Sequence, residues 1–259
     1  MKTFLRFFFP ATYFEATRVP SIALKIYNVL VEGVPALALS LYFNEPSIRV
    51  LLTVLLSYIA FISIYEIGYL TNDYYSETFE KAPRGRAARF GGRAVVVQAL
   101  IVSRLLFFAI CTYLLGTSGS VVWWTFHGTL LVTFILHNSL PSDQRTATFF
   151  ALSAYRFLGA VIVALSPAIL AVLLPAVLLN HSLYRTTVYL RSKNERADGG
   201  IASVSSKFAF YAGCLPFSIL LSLFFGSYLP VALCVYFILV WVLYFAASKI
   251  TGWAPGPSS

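Results

Sequence analysis

The sequence predicts an all-α membrane protein: a polytopic transmembrane helical bundle of about eight or nine spans. Three observations carry that reading. Of its 259 residues 59% are hydrophobic and only 11% charged, with a mean hydropathy of +0.78, which excludes an ordinary soluble globule. The apolar residues come in runs that match the roughly 20 residues a helix needs to cross the hydrocarbon core. The basic residues fall in loops that alternate crossings bring to one side.

Residues 1–20 mix Lys2, Arg6, Glu15 and Arg18 with Phe4, Leu5, Phe7, Phe8, Phe9 and Tyr13, and Pro10 interrupts them. An amphipathic segment lying in the membrane interface is expected there. The apolar core Phe7–Phe9 is too short for a cleavable signal. A transmembrane domain over 21–250 follows. Its expected spans are Ser21–Phe43, Ile48–Leu70, Ala94–Leu115, Ser120–Leu136, Ala147–Leu165, Ala168–Leu190, Phe208–Phe225 and Leu229–Ala247. Ala147 to Leu190 covers 44 residues, far more than one crossing, so Ser166-Pro167 reads as a tight turn between antiparallel helices. The tail, 251–259, carries Pro255 and Pro257 and is expected to be disordered.

Charge sets the orientation. Eight spans place fourteen of the nineteen Lys and Arg residues on the side of both termini and of the loops 71–93, 137–146 and 191–207, against Arg49 alone opposite. That side is therefore expected to be cytoplasmic, in an integral multi-pass protein of a bacterial inner membrane. The formal charge of +9 lies between apolar runs and forms no basic groove with interleaved aromatics, which argues against nucleic acid as a partner. Cys111, Cys214 and Cys234 sit in apolar runs without metal-ligand spacing and read as small buried hydrophobes. His127 reads as a buried, hydrogen-bonded histidine, and His137 either lines a site or caps helices.

The chemistry concentrates between Glu66 and Arg93. Glu66, Asp73, Glu77 and Glu80 fall within fifteen positions, and on a continuing helix they occupy about 60° of arc. Like charges so crowded are costly unless a cation neutralises them. A hard divalent ion such as Mg²⁺ takes oxygen ligands of this kind and shares them with substrate phosphates. Lys81, Arg84, Arg86, Arg89 and Arg93 follow at once, so the stretch reads as a metal–phosphate site at a membrane surface. A later loop offers Arg191, Lys193 and Arg196 as further ligands for anionic oxygens, or as a positive-inside anchor ending at Gly199-Gly200. Within the spans, Lys25 and Glu32 share a helix face, and Arg104 and Arg156 are buried cations. Arg156 lies deep enough to face a polar cavity.

Asn72-Asp73, Glu80, Pro83 and Arg86 resemble the first signature of the UbiA superfamily of intramembrane prenyltransferases, with Ser76 in place of its middle aspartate and Glu77 beside it. The order of spans and polar loops also resembles that family. The resemblance implies a UbiA-like bundle that holds a polyprenyl phosphate or diphosphate through Mg²⁺, with Asp73, Glu77 and Glu80 as metal ligands. Asp73, Glu80 and Arg156 are then the expected catalytic residues. Asn72, Lys81, Arg84, Arg86, Arg191 and Lys193 are expected to bind substrate. The family's second acidic motif is reduced to Glu195 and Asp198, in a pattern nearer the branch that transfers phosphoribose to a polyprenyl phosphate. The expected function is therefore prenyl transfer or phosphoribosyl transfer at a membrane lipid, to an acceptor these residues do not specify. The alternative is a non-catalytic relative that binds or moves polyprenyl-linked lipids. A transporter contacting its substrate through Arg104 and Arg156 is a third reading.

Overall fold

The computed structural model describes residues 2–19, 21–76, 94–141, 144–198 and 204–251, and among these there are helices and no strands. Two short helices, α1 (Lys2–Phe7) and α2 (Thr12–Arg18), precede the bundle. Helix α3 (Ile22–Asn28) passes through a π-turn, Val29–Gly33, into α4 (Val34–Phe43). Helix α5 (Ile48–Thr71) ends in a second π-turn, Asn72–Ser76. Helices α6 (Ala94–Leu114), α7 (Val121–Ser139) and α8 (Thr146–Leu158) follow. Helix α9 (Pro167–Val177) joins α10 (Leu183–Asp198) through a third π-turn, Leu178–Ser182, and α11 (Val204–Phe225) and α12 (Leu229–Thr251) complete the chain.

Helix α5 is the centre. From Ala60 to Gly68 every residue is buried, so the helix is covered all round, as only an interior helix is. In an apolar medium such helices associate by close packing, which small residues allow. Gly68 and Gly159 supply that fit: a Cβ at Gly68 would overlap the Phe134 ring, and one at Gly159 the Phe61 ring. Gly159→Ala is therefore expected to cost about 1–3 kcal/mol through overpacking, read as a lower melting temperature in detergent. Gly128, whose Cβ would meet nothing, serves as the silent control.

Contacts sort the loops to two ends. Asn138 donates to the Gly68 carbonyl and Phe149 stacks on Tyr189 at 4.2 Å, which brings the ends of α5, α7 and α10 and the start of α8 together. At the opposite end Asn44 donates to the Ala164 carbonyl at 2.9 Å. A cavity of about 190 Å³ there is lined by Thr117, Trp123, Val163 and Pro167.

Among the described residues five helices are long and apolar enough to cross a membrane: Ile22–Phe43, Ile48–Tyr75, Ala94–Leu114, Pro167–Arg191 and Lys207–Phe225. Leu229–Tyr244 is a shorter apolar helix. The turn expected at Ser166-Pro167 is present, with Ser166 as N-cap and proline in the first helical turn. The expected span Ala147–Leu165 takes another form. Its helix, α8, has only 13 residues, about 20 Å by the α-helical rise. Beyond Leu158 the chain continues in irregular turns to Ala164, because Gly159 packs on Phe61 and its carbonyl accepts the Ser57 hydroxyl. The segment still runs from one end of the bundle to the other. Residues 1–20, expected as an interfacial segment, form α1 and α2, with Phe7, Tyr13 and Phe14 buried. The expected disordered tail lies, apart from Thr251, outside the described residues.

Candidate functional site

Among the described residues three π-turns interrupt the long helices, and each carries an ionisable side chain that is buried or nearly so: Glu32 in the first, Asp73 in the second, His181 in the third. A π-turn opens the i→i+4 ladder and recurs at functional sites. Here it helps aim a polar group into the bundle.

Glu32 holds the largest group. Its Oε2 accepts from Arg156 Nη2 at 2.9 Å and from Nε at 3.3 Å, while its Oε1 accepts from Arg185 Nη1 at 2.9 Å. Arg156 Nη2 also donates to the Asn28 side-chain oxygen at 3.2 Å. His181 Nε2 stands 3.7 Å from Glu32 Oε1, buried and without a hydrogen bond, and Arg185 Nε is likewise buried without an acceptor. One carboxylate thus serves two guanidiniums. Even with His181 neutral, the group keeps one positive charge beyond what Glu32 neutralises.

The N-terminal segment closes one side of this group. The Phe14 ring lies under the Arg156 guanidinium, 4.8 Å from its carbon, and stacks on Tyr69 at 5.9 Å and 8°. Arg18 sits over the Tyr69 ring at 4.3 Å and bonds Asp73 Oδ1 at 2.7 Å. The Tyr13 hydroxyl donates to Asp73 Oδ2 at 2.6 Å. Burial lowers the proton affinity of Arg18, but Asp73 together with Tyr69 and Tyr13 outweighs it, so the guanidinium stays above its ordinary pKa.

Glu66 and Asp73 both reach α2, as their seven-residue spacing on one helix face predicts. Glu66 accepts the Phe14 backbone N–H at 2.6 Å through Oε1 and Arg104 Nε at 2.6 Å through Oε2. Arg104 is fully buried and donates its remaining hydrogens to the carbonyls of Phe7, Phe8 and Phe9 and to the Ser103 hydroxyl.

Of the residues singled out from the sequence, Asp73 and Asn72 lie together, with Asn72 Nδ2 on Asp73 Oδ1 at 3.2 Å. Arg156 pairs with Glu32 in a buried polar group, and does not face Asp73. Arg191 is exposed on α10; Lys193 follows on the same helix, its side chain outside the described residues. Glu77, Glu80, Lys81, Arg84 and Arg86 also lie outside them. Lys25, which shares a helix face with Glu32, pairs instead with Glu15 at 2.5 Å. His137 bridges α7 to Thr148 of α8, and His127 bonds the Trp123 carbonyl within α7. Sequence reasoning passed over Arg185, His181, Tyr13 and Arg18. Arg185 was visible as a cation within a span, and its spacing of four residues from His181 in the preceding turn was a usable signal.

No group of three His, Cys, Asp or Glu side chains able to hold a metal ion occurs among the described residues. Comparison with protein-family models, with curated proteins and with solved structures finds no match.

Proposed function

We propose that the chain is a multi-pass membrane transferase that binds the phosphate or diphosphate head of a polyprenyl lipid, with its Asp73 end in the cytoplasm. The observation that carries this reading is the pair Arg156 and Arg185 on the single carboxylate of Glu32. An uncompensated positive charge within a membrane bundle is expensive, and an anion relieves it. Guanidiniums suit phosphate because their forked donors match its oxygens. Glu32 keeps both forks oriented, and the unpartnered Arg185 Nε and the Arg156 guanidinium are the donors a phosphate oxygen would meet. The isoprenoid chain lies among apolar side chains at membrane depth.

Mg²⁺ fits the neighbouring end in its chemistry. Asn72 Oδ1 and Asn138 Oδ1 are buried oxygens without donors, next to the Asp73 carboxylate or the turn before it, and hard cations take oxygen ligands. Asp73 itself is occupied by Arg18 and Tyr13, so a metal ion there competes with α2 for the carboxylate. Asp73, Asn72 and Asn138 would hold the ion, joined by Glu77 and Glu80 if the resemblance to UbiA proteins extends to them. When bound, Mg²⁺ supplies neutralisation of leaving-group charge.

The test is binding of geranylgeranyl diphosphate and the matching monophosphate to protein in nanodiscs. Arg185→Ala leaves the Glu32–Arg156 pair balanced and is expected to weaken binding about 10- to 150-fold, the worth of one charge-assisted contact of about 1.5–3 kcal/mol. Asp73→Asn is expected to remove the Mg²⁺ dependence of diphosphate binding, and Glu45→Gln at the opposite end to change nothing. Equal affinity in wild type and Arg185→Ala would sink the reading. Release of diphosphate separates a transferase from a protein that only binds the lipid.

A further inference from the structure

Helix α2 does not stabilise itself. It has seven residues, far too few for an isolated helix in water, and Ala11 at its N-cap position offers no side-chain cap. The cap comes from another helix: Glu66 accepts the Phe14 N–H, a tertiary substitute for the missing Ser or Asp. Ala11 also has φ 73°, a left-handed conformation that costs a residue with a Cβ and that the surrounding contacts must hold in place. Glu15 pairs outward with Lys25 and Tyr13 packs edge-on against Phe7, but the contacts that face inward from α2 are lent by the site it covers. Tyr13 and Arg18 share Asp73, and Phe14 rests against Arg156 and Tyr69.

The preceding segment is held separately. Arg104 binds the carbonyls of Phe7, Phe8 and Phe9 from within α6, and these bonds do not involve α2. The chain thus has a fixed anchor at residues 7–9, a strained junction at Ala11 and a short helix that cannot persist alone.

We propose that α2 is a displaceable internal plug, with Arg18 in the place of a ligand-borne cation on Asp73 and Phe14 over the Arg156 guanidinium. It rests on the reading of the site as a polyprenyl phosphate or diphosphate site, and it says what that ligand must displace. Withdrawal of Arg18 takes a guanidinium from the buried Asp73 carboxylate, so opening is unfavourable until a cation arrives with the phosphate. The plug then melts about Ala11 while α1 stays docked. Ligand entry and loss of α2 structure are coupled, and by linkage whatever loosens α2 tightens binding.

Amide hydrogen exchange on the full chain in nanodiscs, with and without Mg²⁺ and geranylgeranyl diphosphate, reads the plug directly. Ligand is expected to speed exchange at residues 13–19 at least tenfold and to leave residues 60–70 of α5 unchanged. Arg18→Gln is expected to speed the same amides without ligand and to tighten binding about fivefold or more. Tyr13→Phe, a milder change that leaves the Arg18 pair intact, moves both quantities in the same direction by less. Binding with α2 protection unchanged overturns the plug and spares the lipid-phosphate reading. Weaker binding by both variants overturns the plug as well, since α2 then builds the site. Absence of binding by wild type and both variants overturns the two together.

Discussion

Glu32→Gln is expected to be the most damaging conservative substitution in the bundle, costing about 3–5 kcal/mol. The change keeps the shape and removes the only carboxylate among the described residues that bridges Arg156 and Arg185, whose side chains are 8% and 18% exposed. Two guanidiniums are then left facing one neutral amide. Unfolding in mixed detergent measures the loss, and Glu32→Gln combined with Arg185→Gln should recover more than half of it, because the second change removes the surplus cation. A Glu32→Gln protein as stable as wild type would mean that the two arginines find their counter-charge elsewhere. The same variant carries a functional sign: with Glu32 neutral, any anion is more welcome, so a pure phosphate-binding effect raises affinity where enough folded protein survives.

The second large effect is expected at Arg104. Its guanidinium and the Glu66 carboxylate are both fully buried, 2.6 Å apart. Arg104→Gln strands that carboxylate and leaves the carbonyls of Phe7, Phe8 and Phe9 short of donors, a further cost of about 3–5 kcal/mol. Because Arg104 anchors the N-terminal segment, its loss should also expose Arg6 and Arg18 to trypsin, a result that simple destabilisation of the bundle would not produce at low protease. Adding Glu66→Gln removes the stranded charge and should restore stability without restoring the anchor. If cleavage at Arg6 stays as slow as in wild type, the anchor assigned to Arg104 is wrong.

Hydropathy made the long helices legible, since a run such as Ile48–Leu70 has one economical conformation in a bilayer. Ser166-Pro167 was legible for the same reason that it folds so: a hydroxyl cap followed by a proline suits a helix start. The break after Leu158 was not, because it depends on Phe61 filling the space beside Gly159, two groups nearly a hundred positions apart. Arg156 drew attention as a cation in an apolar run, yet its partner Glu32 lies 124 positions away and was read against Lys25, its neighbour on the helix face. A one-dimensional pattern gives the faces within a helix and is silent on which faces meet. Asp73 was selected as one of four clustered carboxylates needing a counter-charge. That need is real, and a tyrosine and an arginine from α2 meet it. Local spacing could supply the demand and not the donor.

The π-turns bear on kinship. A π-turn holds one residue more than the α-turn it replaces, and the surplus rotates everything downstream by about 100°. A relative that keeps the charged groups of this site must keep the extra residue at each of Val29–Gly33, Asn72–Ser76 and Leu178–Ser182. One that has lost the chemistry is free to drop it. Single-residue gaps at these three places, in alignments otherwise free of them, would therefore separate working descendants from those that retain only the scaffold.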